Sequence, residues 1–115
     1  MNDWTRVLFA AVDGRDADAF ASFLADDVRF RFGNAPVVEG RQTVRDVVAG
    51  FFGSIEAVCH EVVETLHAGD TVVSRGQATY TRKDGSVLSV PFANVFKLAG
   101  GKIREYLIYV DASAL

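Results

Sequence analysis

The sequence predicts an α+β fold in which three N-terminal helices pack on one face of a curved, antiparallel-rich mixed sheet. In the first half of the 115-residue chain, apolar residues recur at helical spacing. From Ile55 onward the pattern is that of strands, divided by the turn signals Ala68-Gly69-Asp70, Asp84-Gly85 and Gly100-Gly101. Short turns of this kind favour antiparallel hairpins. A chain of this length is expected to form one domain, over residues 1–115.

The helices are predicted from the spacing of their apolar residues. The first covers residues 3–12 and is ended by Asp13-Gly14, and the second follows Asp16, which is placed to cap it. The third begins after Gly40 and has its apolar residues at i, i+3, i+4, i+7 and i+8, the spacing of one helix face. The three apolar stripes are Trp4, Val7, Leu8, Ala11 and Val12; Ala19, Phe20, Phe23 and Leu24; and Val44, Val47, Val48, Phe51 and Phe52.

A first strand is predicted between the second and third helices. Val28, Phe30 and Phe32 alternate there with Arg29 and Arg31, as in a strand with one buried face. Four further strands follow the third helix, near residues 57–67, 71–82, 87–98 and 102–110. A curved sheet under three helices leaves a conical pocket that side chains or a small ligand can fill.

Charge and composition argue against several classes of partner. The formal net charge is −3 and acidic and basic residues are interspersed, which argues against nucleic acid and against an anionic membrane surface. The single cysteine, Cys59, excludes an intramolecular disulfide. The N-terminus has no signal-peptide pattern and no apolar run reaches about 18 residues, so we expect a cytoplasmic protein.

No motif in the chain predicts a cofactor or a metal. A Gly-rich phosphate loop and the nucleophile patterns Gly-x-Ser-x-Gly and Cys–His are absent from the sequence. His60 and His67 lie an odd number of positions apart, which places them on opposite faces of one strand, with His67 exposed. Two histidines on different faces with scattered acids make no metal site, so we expect neither a metal nor a cofactor.

Three segments of the chain resemble the nuclear transport factor 2-like superfamily, and within it the SnoaL-like and ketosteroid isomerase-like small proteins. They are DGRDADAFASFLADDVRFRF, EGRQTVRDVVAGFF and PFANVFKLAGGKIREYLIYVD, which follow one another in the order and spacing of that superfamily. The resemblance implies a cystatin-like α+β roll with a conical pocket, and a homodimer. It does not imply one activity, because the superfamily includes isomerases, epoxide hydrolases, cyclases, dehydratases and proteins that only bind or dimerise.

The resemblance also shows which known catalytic residues this chain lacks. The general-base Asp of ketosteroid isomerases falls on Phe32, their oxyanion-donating Tyr falls near Leu8, and their protonated Asp falls on Asn94. Only a hydrogen-bond donor therefore remains of that set. The Asp–Arg–Asp set of limonene-epoxide hydrolases falls on Gly76, Ala78 and Ile108.

The resemblance aligns the strands with those of the superfamily. The alternation of side chains along each strand then predicts which residues face the pocket. His60 is expected to join this face from the strand near residues 57–67. The pocket is then largely apolar with few polar points. The predicted ligand-binding residues are Phe30, Phe32, Tyr80, Phe92, Asn94, Tyr106 and Ile108.

Three polar residues are candidates for chemistry. His60 is the candidate for proton transfer, because imidazole is the side chain that changes charge near neutral pH; the alternative is a structural, hydrogen-bonded histidine. Asp111 could orient His60 or act as a base, or it could only close the last strand. Asn94 could donate to a carbonyl or enolate oxygen, or it could bond to Tyr80 or Tyr106 in the core.

Three functions remain open from the sequence. The first is a cofactor-free isomerase, cyclase or dehydratase that acts on a small, largely apolar carbonyl compound, with His60, Asp111 and Asn94 as its catalytic residues. The second is a non-catalytic module that binds a small molecule or dimerises. In the third, phenylalanine side chains fill the cone and the protein acts through its surface. Strands 71–82, 87–98 and 102–110 are apolar on both faces, which supports a homodimer.

Overall fold

A computed structural model describes residues 4–115 of the chain and confirms the predicted α+β fold. Three helices precede most of the sheet. Among the described residues, no helix has the length and apolar character needed to cross a membrane. The elements are α1 (Trp4–Asp13), α2 (Ala17–Ala21), β1 (Leu24–Phe32), β2 (Val38–Glu39), α3 (Arg41–Ser54), β3 (Ala57–Ala68), β4 (Thr71–Thr81), β5 (Val87–Ala99) and β6 (Lys102–Val110).

The six strands form one curved mixed sheet in the order β2-β1-β6-β5-β4-β3. Strands β3 to β6 form consecutive antiparallel hairpins, as the turn signals predict. β1 instead runs parallel to β6, with Phe30 opposite Tyr106 and Phe32 opposite Ile108. The last strand therefore lies between the first strand and the hairpins, and β3 lies at one edge.

Within residues 4–115 the elements differ from the prediction at two main places, the end of α2 and the short strand β2. The predicted first helix begins at residue 3, which lies outside the described residues. The second helix ends at Ala21, so Phe23 and Leu24 do not continue its stripe, and Leu24 begins β1 opposite Ile103. The two-residue strand β2, which pairs with β1 across Phe30 and Val38, was not predicted. Two residues are too few to show an alternating pattern.

The core lies between the three helices and the concave face of the sheet. Aromatic rings join the layers: Phe20 of α2 packs on Tyr106 of β6 with centroids 5.6 Å apart, and Tyr106 packs edge-on against Phe96 at 4.8 Å. Burial of such rings is the main favourable term in forming this layer. The largest side chains that are fully buried are Tyr106, Phe20, Phe96, Leu8, Leu24, Ile103, Val28, Val44 and Val72.

The connection between α1 and α2 is held against the end of α3. Asp16 caps α2 as predicted, since its carboxylate accepts a hydrogen bond from the backbone N–H of Ala19 at 3.0 Å. Arg15 adopts a positive φ of 53°. Its guanidinium donates to the carbonyl oxygens of Phe52 and Ile55 at 3.3 and 3.1 Å. These bonds use carbonyl groups at the C-terminal end of α3 that the helix leaves unpaired.

A bulge in β3 changes which side chains face the helices. The register of β3 against β4 shifts between Val62 and Glu64. His67 consequently lies opposite Val72, which faces the core, and the prediction that it faces away from His60 is wrong. His67 is exposed, as expected.

Gly76 of β4 allows the close approach of β3 at this bulge. A Cβ atom at Gly76 would overlap the carbonyl oxygen of Glu61. We therefore expect Gly76→Ala to lower the free energy of unfolding by about 2 kcal/mol or more, through forced backbone movement. Urea unfolding followed by circular dichroism measures the change.

Gly50→Ala is the matched control for this substitution. Gly50 lies inside α3, and a Cβ atom there meets nothing within 4 Å. The control should raise the free energy of unfolding by roughly 0.5–1 kcal/mol, because Ala favours the helix over Gly. Equal effects of the two substitutions would contradict the role assigned to Gly76.

Candidate functional site

A cavity of about 50 Å³ lies between the helices and the sheet. Each ligand-binding residue predicted from strand parity lies on its wall, although ligand binding by these residues stays a prediction. The helices contribute apolar side chains to the same wall. The lining residues are Val12, Phe20, Phe30, Phe32, Val48, Phe51, Phe52, Val58, His60, Tyr80, Phe92, Asn94, Tyr106 and Ile108.

Asp13 holds His60 by two hydrogen bonds. Asp13 Oδ1 lies 2.6 Å from His60 Nδ1, and Asp13 Oδ2 accepts the backbone N–H of His60 at 3.1 Å. Both side chains are largely shielded, with 10% of His60 and 29% of Asp13 exposed. A carboxylate can only accept at this contact, so the neutral imidazole carries its proton on Nδ1 and leaves Nε2 free to accept one.

Two phenylalanines fix the plane of the His60 ring. The ring lies 5.1 Å from that of Phe9 on α1 and 5.1 Å from that of Phe92 on β5, centroid to centroid. Phe9 and Phe92 also contact each other at 5.7 Å. The imidazole is therefore oriented by its carboxylate partner and by packing on both sides.

Asn94 is a polar residue at the centre of the sheet wall. The residue is 2% exposed, and Asn94 Oδ1 has no hydrogen-bond partner in the part of the chain that the structure describes. Oδ1 accepts no bond from Tyr80 or Tyr106, and the facing Ser74 hydroxyl pairs with Thr65 at 2.9 Å instead. A buried polar atom without a partner costs roughly 1–3 kcal/mol. Oδ1 is an acceptor, so a ligand group that donates a hydrogen bond would satisfy it.

Asp111 lies away from His60. Its Oδ1 accepts hydrogen bonds from the hydroxyl and the backbone N–H of Ser113, at 2.7 and 3.1 Å, and these bonds lower the pKa of Asp111. Asp111 is exposed and belongs to an open groove beside Arg75 and Tyr109. The expectation that Asp111 orients His60 is therefore wrong, and Asp13 takes that place.

The partner of His60 was missed because the sequence gives Asp13 another interpretation. Asp13-Gly14 is a good helix stop, and it does end α1. Its side chain reaches His60 only because α1 packs across β3, a contact between residues 47 positions apart. No local pattern reports such a contact. The remaining polar groups of the wall are the two tyrosine hydroxyls.

Burial raises the pKa of both tyrosines on the wall. The pKa of Tyr80 rises from 10.0 to about 12, because desolvation disfavours the phenolate. The pKa of Tyr106 is raised further, first by complete burial and then by the nearby Tyr80. Both hydroxyls are therefore neutral at neutral pH.

Alkaline pH should destabilise the fold through these tyrosines. In the unfolded chain Tyr80 ionises at its ordinary pKa of 10.0, whereas in the folded chain it ionises near 12. The free energy of unfolding is thus unaffected below about pH 10 and falls as pH rises from there through about 12. Tyr80→Phe should flatten this decline in urea unfolding measured across that range. Tyr109→Phe, which removes a phenol that is 59% exposed, is the control, and an equal flattening would contradict the assignment.

No cluster of three or more metal-ligating side chains occurs among residues 4–115. The polar groups at the cavity are an imidazole held by a carboxylate, a carboxamide and two phenols. Such a set can move a proton and form hydrogen bonds to oxygen.

Comparisons with known proteins place the chain in one family. The sequence profile of the SnoaL-like domain matches residues 5–106. Among curated proteins no match to the chain is found. Solved structures with nuclear transport factor 2-like folds superpose on nearly the whole chain.

Three of these structures illustrate the likeness. A hypothetical protein of ketosteroid isomerase-like fold from Catenulispora acidiphila, in complex with trimethylamine, is 21% identical with a TM-score of 0.89, over 98% of this chain and 88% of that one. A protein of unknown function from Burkholderia pseudomallei is 19% identical with a TM-score of 0.86, over 96% and 89%. TerC, co-crystallised with polyporic acid, is 19% identical with a TM-score of 0.82, over 96% and 90%. At these identities the likeness concerns the fold.

Proposed function

Since this chain belongs to the SnoaL-like domain family, whose fold carries many activities, we propose a function from its own side chains. The protein is a cofactor-free enzyme that transfers a proton on a small, largely apolar carbonyl compound, as in an isomerisation, cyclisation or dehydration. The contact of 2.6 Å between His60 and Asp13 on the wall of an apolar cavity carries this proposal.

His60 is the proposed base. Nδ1–H donates to Asp13, and Nε2 takes a proton from the carbon next to the carbonyl group of the substrate. The electron pair of the broken C–H bond forms a C=C bond, and the carbonyl oxygen becomes an enolate oxygen. Asp13 stabilises the imidazolium that results, as an oriented carboxylate does beside a catalytic histidine.

Asn94 is the proposed stabiliser of the enolate. Its carboxamide is buried, and its Nδ2 group can donate a hydrogen bond to an oxygen that gains charge. A preorganised donor in an apolar site interacts more strongly with the enolate than with the ground-state carbonyl. The neutral hydroxyls of Tyr80 and Tyr106 lie on the same wall and are further donors.

The size of the cavity limits the group that enters it. About 50 Å³ is well below the roughly 300–1,000 Å³ of ordinary ligand pockets. A compact group with few non-hydrogen atoms suits this space, and the structural neighbour bound to trimethylamine holds a ligand of that scale. The apolar wall favours an uncharged, apolar body around the carbonyl group.

Deuterium exchange into acetone tests the proposed chemistry directly. The protein in D₂O should accelerate deuterium uptake by the acetone methyl groups, as measured by proton NMR. His60→Ala should lower the rate by about 10²-fold or more, because the base is lost. Asp13→Asn should lower it too, and Asn94→Leu should lower it by about 10²- to 10³-fold, the effect of losing an oxyanion donor.

His67→Ala is the matched control for the histidine substitution. His67 is exposed and lies beyond the bulge of the same strand. Its removal should leave the exchange rate unchanged. An exchange rate that equals the buffer rate in the wild-type protein would overturn the proposed chemistry.

A second candidate function is supported by the small cavity. Phenylalanine and tyrosine rings line a cavity of only about 50 Å³, which suits a protein that binds a compact molecule without converting it. In that case acetone would shift the NMR signals of cavity residues without any exchange of its methyl protons. One NMR sample with acetone in D₂O therefore distinguishes the two functions.

We also propose a homodimer formed through the outer face of the sheet. Strand register aligns four apolar residues across this face, Leu66, Val73, Val95 and Leu107. Leu66 is 54% exposed, and Tyr109, two positions after Leu107 on β6, is 59% exposed. Exposed apolar area of this kind favours cover by a second subunit.

A charge in the middle of this row should prevent dimer formation. Val95→Lys places an ammonium group among apolar side chains, and light scattering during size-exclusion chromatography should then give the mass of a monomer. Ser89→Lys, on the same face of β5 but outside the row, is the control and should remain dimeric. A wild-type protein that is monomeric at high concentration would contradict this proposal.

A further inference from the structure

A second space adjoins the cavity, in the groove between α1 and β3. It is open to solvent and has a volume of about 600 Å³, which is within the usual range of ligand sites. Its lining includes two exposed apolar side chains, Val62 and Val63, which are 38% and 63% exposed. The groove is lined by Thr5, Arg6, Phe9, Ala10, Asp13, His60, Val62, Val63, Glu64 and Thr65.

His60 connects the groove with the cavity. Among residues 4–115 it is the one residue that lines both spaces. Phe9 packs on the imidazole from the groove and Phe92 packs on it from the cavity, each with ring centroids 5.1 Å away. At His60 the partition is the imidazole itself, and a ligand that extends past His60 would occupy both spaces.

Arg6 gives the groove one cationic side chain that can receive an anionic group. The two acids of the groove are engaged, since Asp13 pairs with His60 at 2.6 Å and Glu64 pairs with Arg75 at 2.8 Å. Arg6 is exposed and forms no ion pair with the residues that the structure describes. A guanidinium with free donors binds a carboxylate through paired hydrogen bonds.

We propose that this groove binds the carboxylate end of an oxo acid whose ketone end lies beside His60 and Asn94. This inference rests on the proposed function, and it names the class of its substrate. The ketone enters the cavity, the short aliphatic chain crosses beside His60, and the carboxylate pairs with Arg6. A substrate larger than the cavity can then bind, because only its ketone end enters the cavity.

Three probes test the inference by NMR of the ¹⁵N-labelled protein. Acetone carries the ketone alone, levulinate carries the ketone and a carboxylate, and methyl levulinate is the neutral counterpart of levulinate. Levulinate should shift the amide signals of His60, Asn94, Val62 and Val63. It should bind about two- to five-fold more tightly than methyl levulinate, as expected for an exposed ion pair.

Substitution of Arg6 should remove the preference for the anion. Arg6→Gln should make levulinate and methyl levulinate bind equally, without changing the affinity for acetone. Arg104→Gln removes another exposed arginine, in an open site beside Asp27 and Glu105, and should leave the preference intact. Equal affinities in the wild-type protein, or a preference that survives Arg6→Gln, would overturn the inference.

The outcomes separate this inference from the proposed function. If acetone shifts Asn94 but levulinate has no advantage, the two-space site is wrong and the proposed chemistry stands. If levulinate shifts only groove residues and not Asn94, the spaces bind separately and the inference fails. If acetone shifts no cavity residue, the proposed function itself fails.

Discussion

The contact between Asp13 and His60 joins the helical layer to the edge of the sheet. It ties the last residue of α1 to β3 through both a side-chain and a backbone bond. Within residues 4–115, β3 is an edge strand that pairs only with β4, and α1 packs against it. The orientation of the imidazole and the position of α1 beside the α1–β3 groove depend on this contact.

The chain supports that contact from a second direction. Arg15 follows Asp13 by two positions and bonds to the carbonyl groups at the end of α3. The left-handed backbone at Arg15 has a conformational cost for a residue with a side chain, which the two bonds offset. The end of α1 is therefore fixed against α3 on one side and against β3 on the other. The proposed proton transfer would use a pair of groups that is already held in place.

The sequence predicted the wall of the cavity better than its chemistry. The side-chain period of a strand is two, so Phe30, Asn94 and Tyr106 could be placed on one face once the resemblance to the nuclear transport factor 2-like superfamily had aligned the strands. The bulge after Val62 has no such signal, and it reversed the face of His67. Asp13 was missed for a different reason, because helix-to-strand contacts depend on how the layers pack rather than on any local pattern. Asp111 had a sequence position that suggested a role, yet the turn at Ser113 occupies its carboxylate.

The structure also shows why the sheet has no acidic residue at two of the positions where related enzymes have one. At Gly76 no side chain fits while β3 approaches β4 at the bulge, so a carboxylate cannot replace this glycine without rearrangement of the strands. Phe32 fills its position with a ring that packs on Phe51 of α3 at 5.2 Å. The acid that remains near the cavity comes from a helix instead. The distance between Asp13 and His60 therefore depends on how α1 packs on the sheet. Two residues on paired strands are instead spaced by the hydrogen-bonded ladder. Substitutions in the core that shift α1 would thus change the proposed chemistry without touching any polar residue.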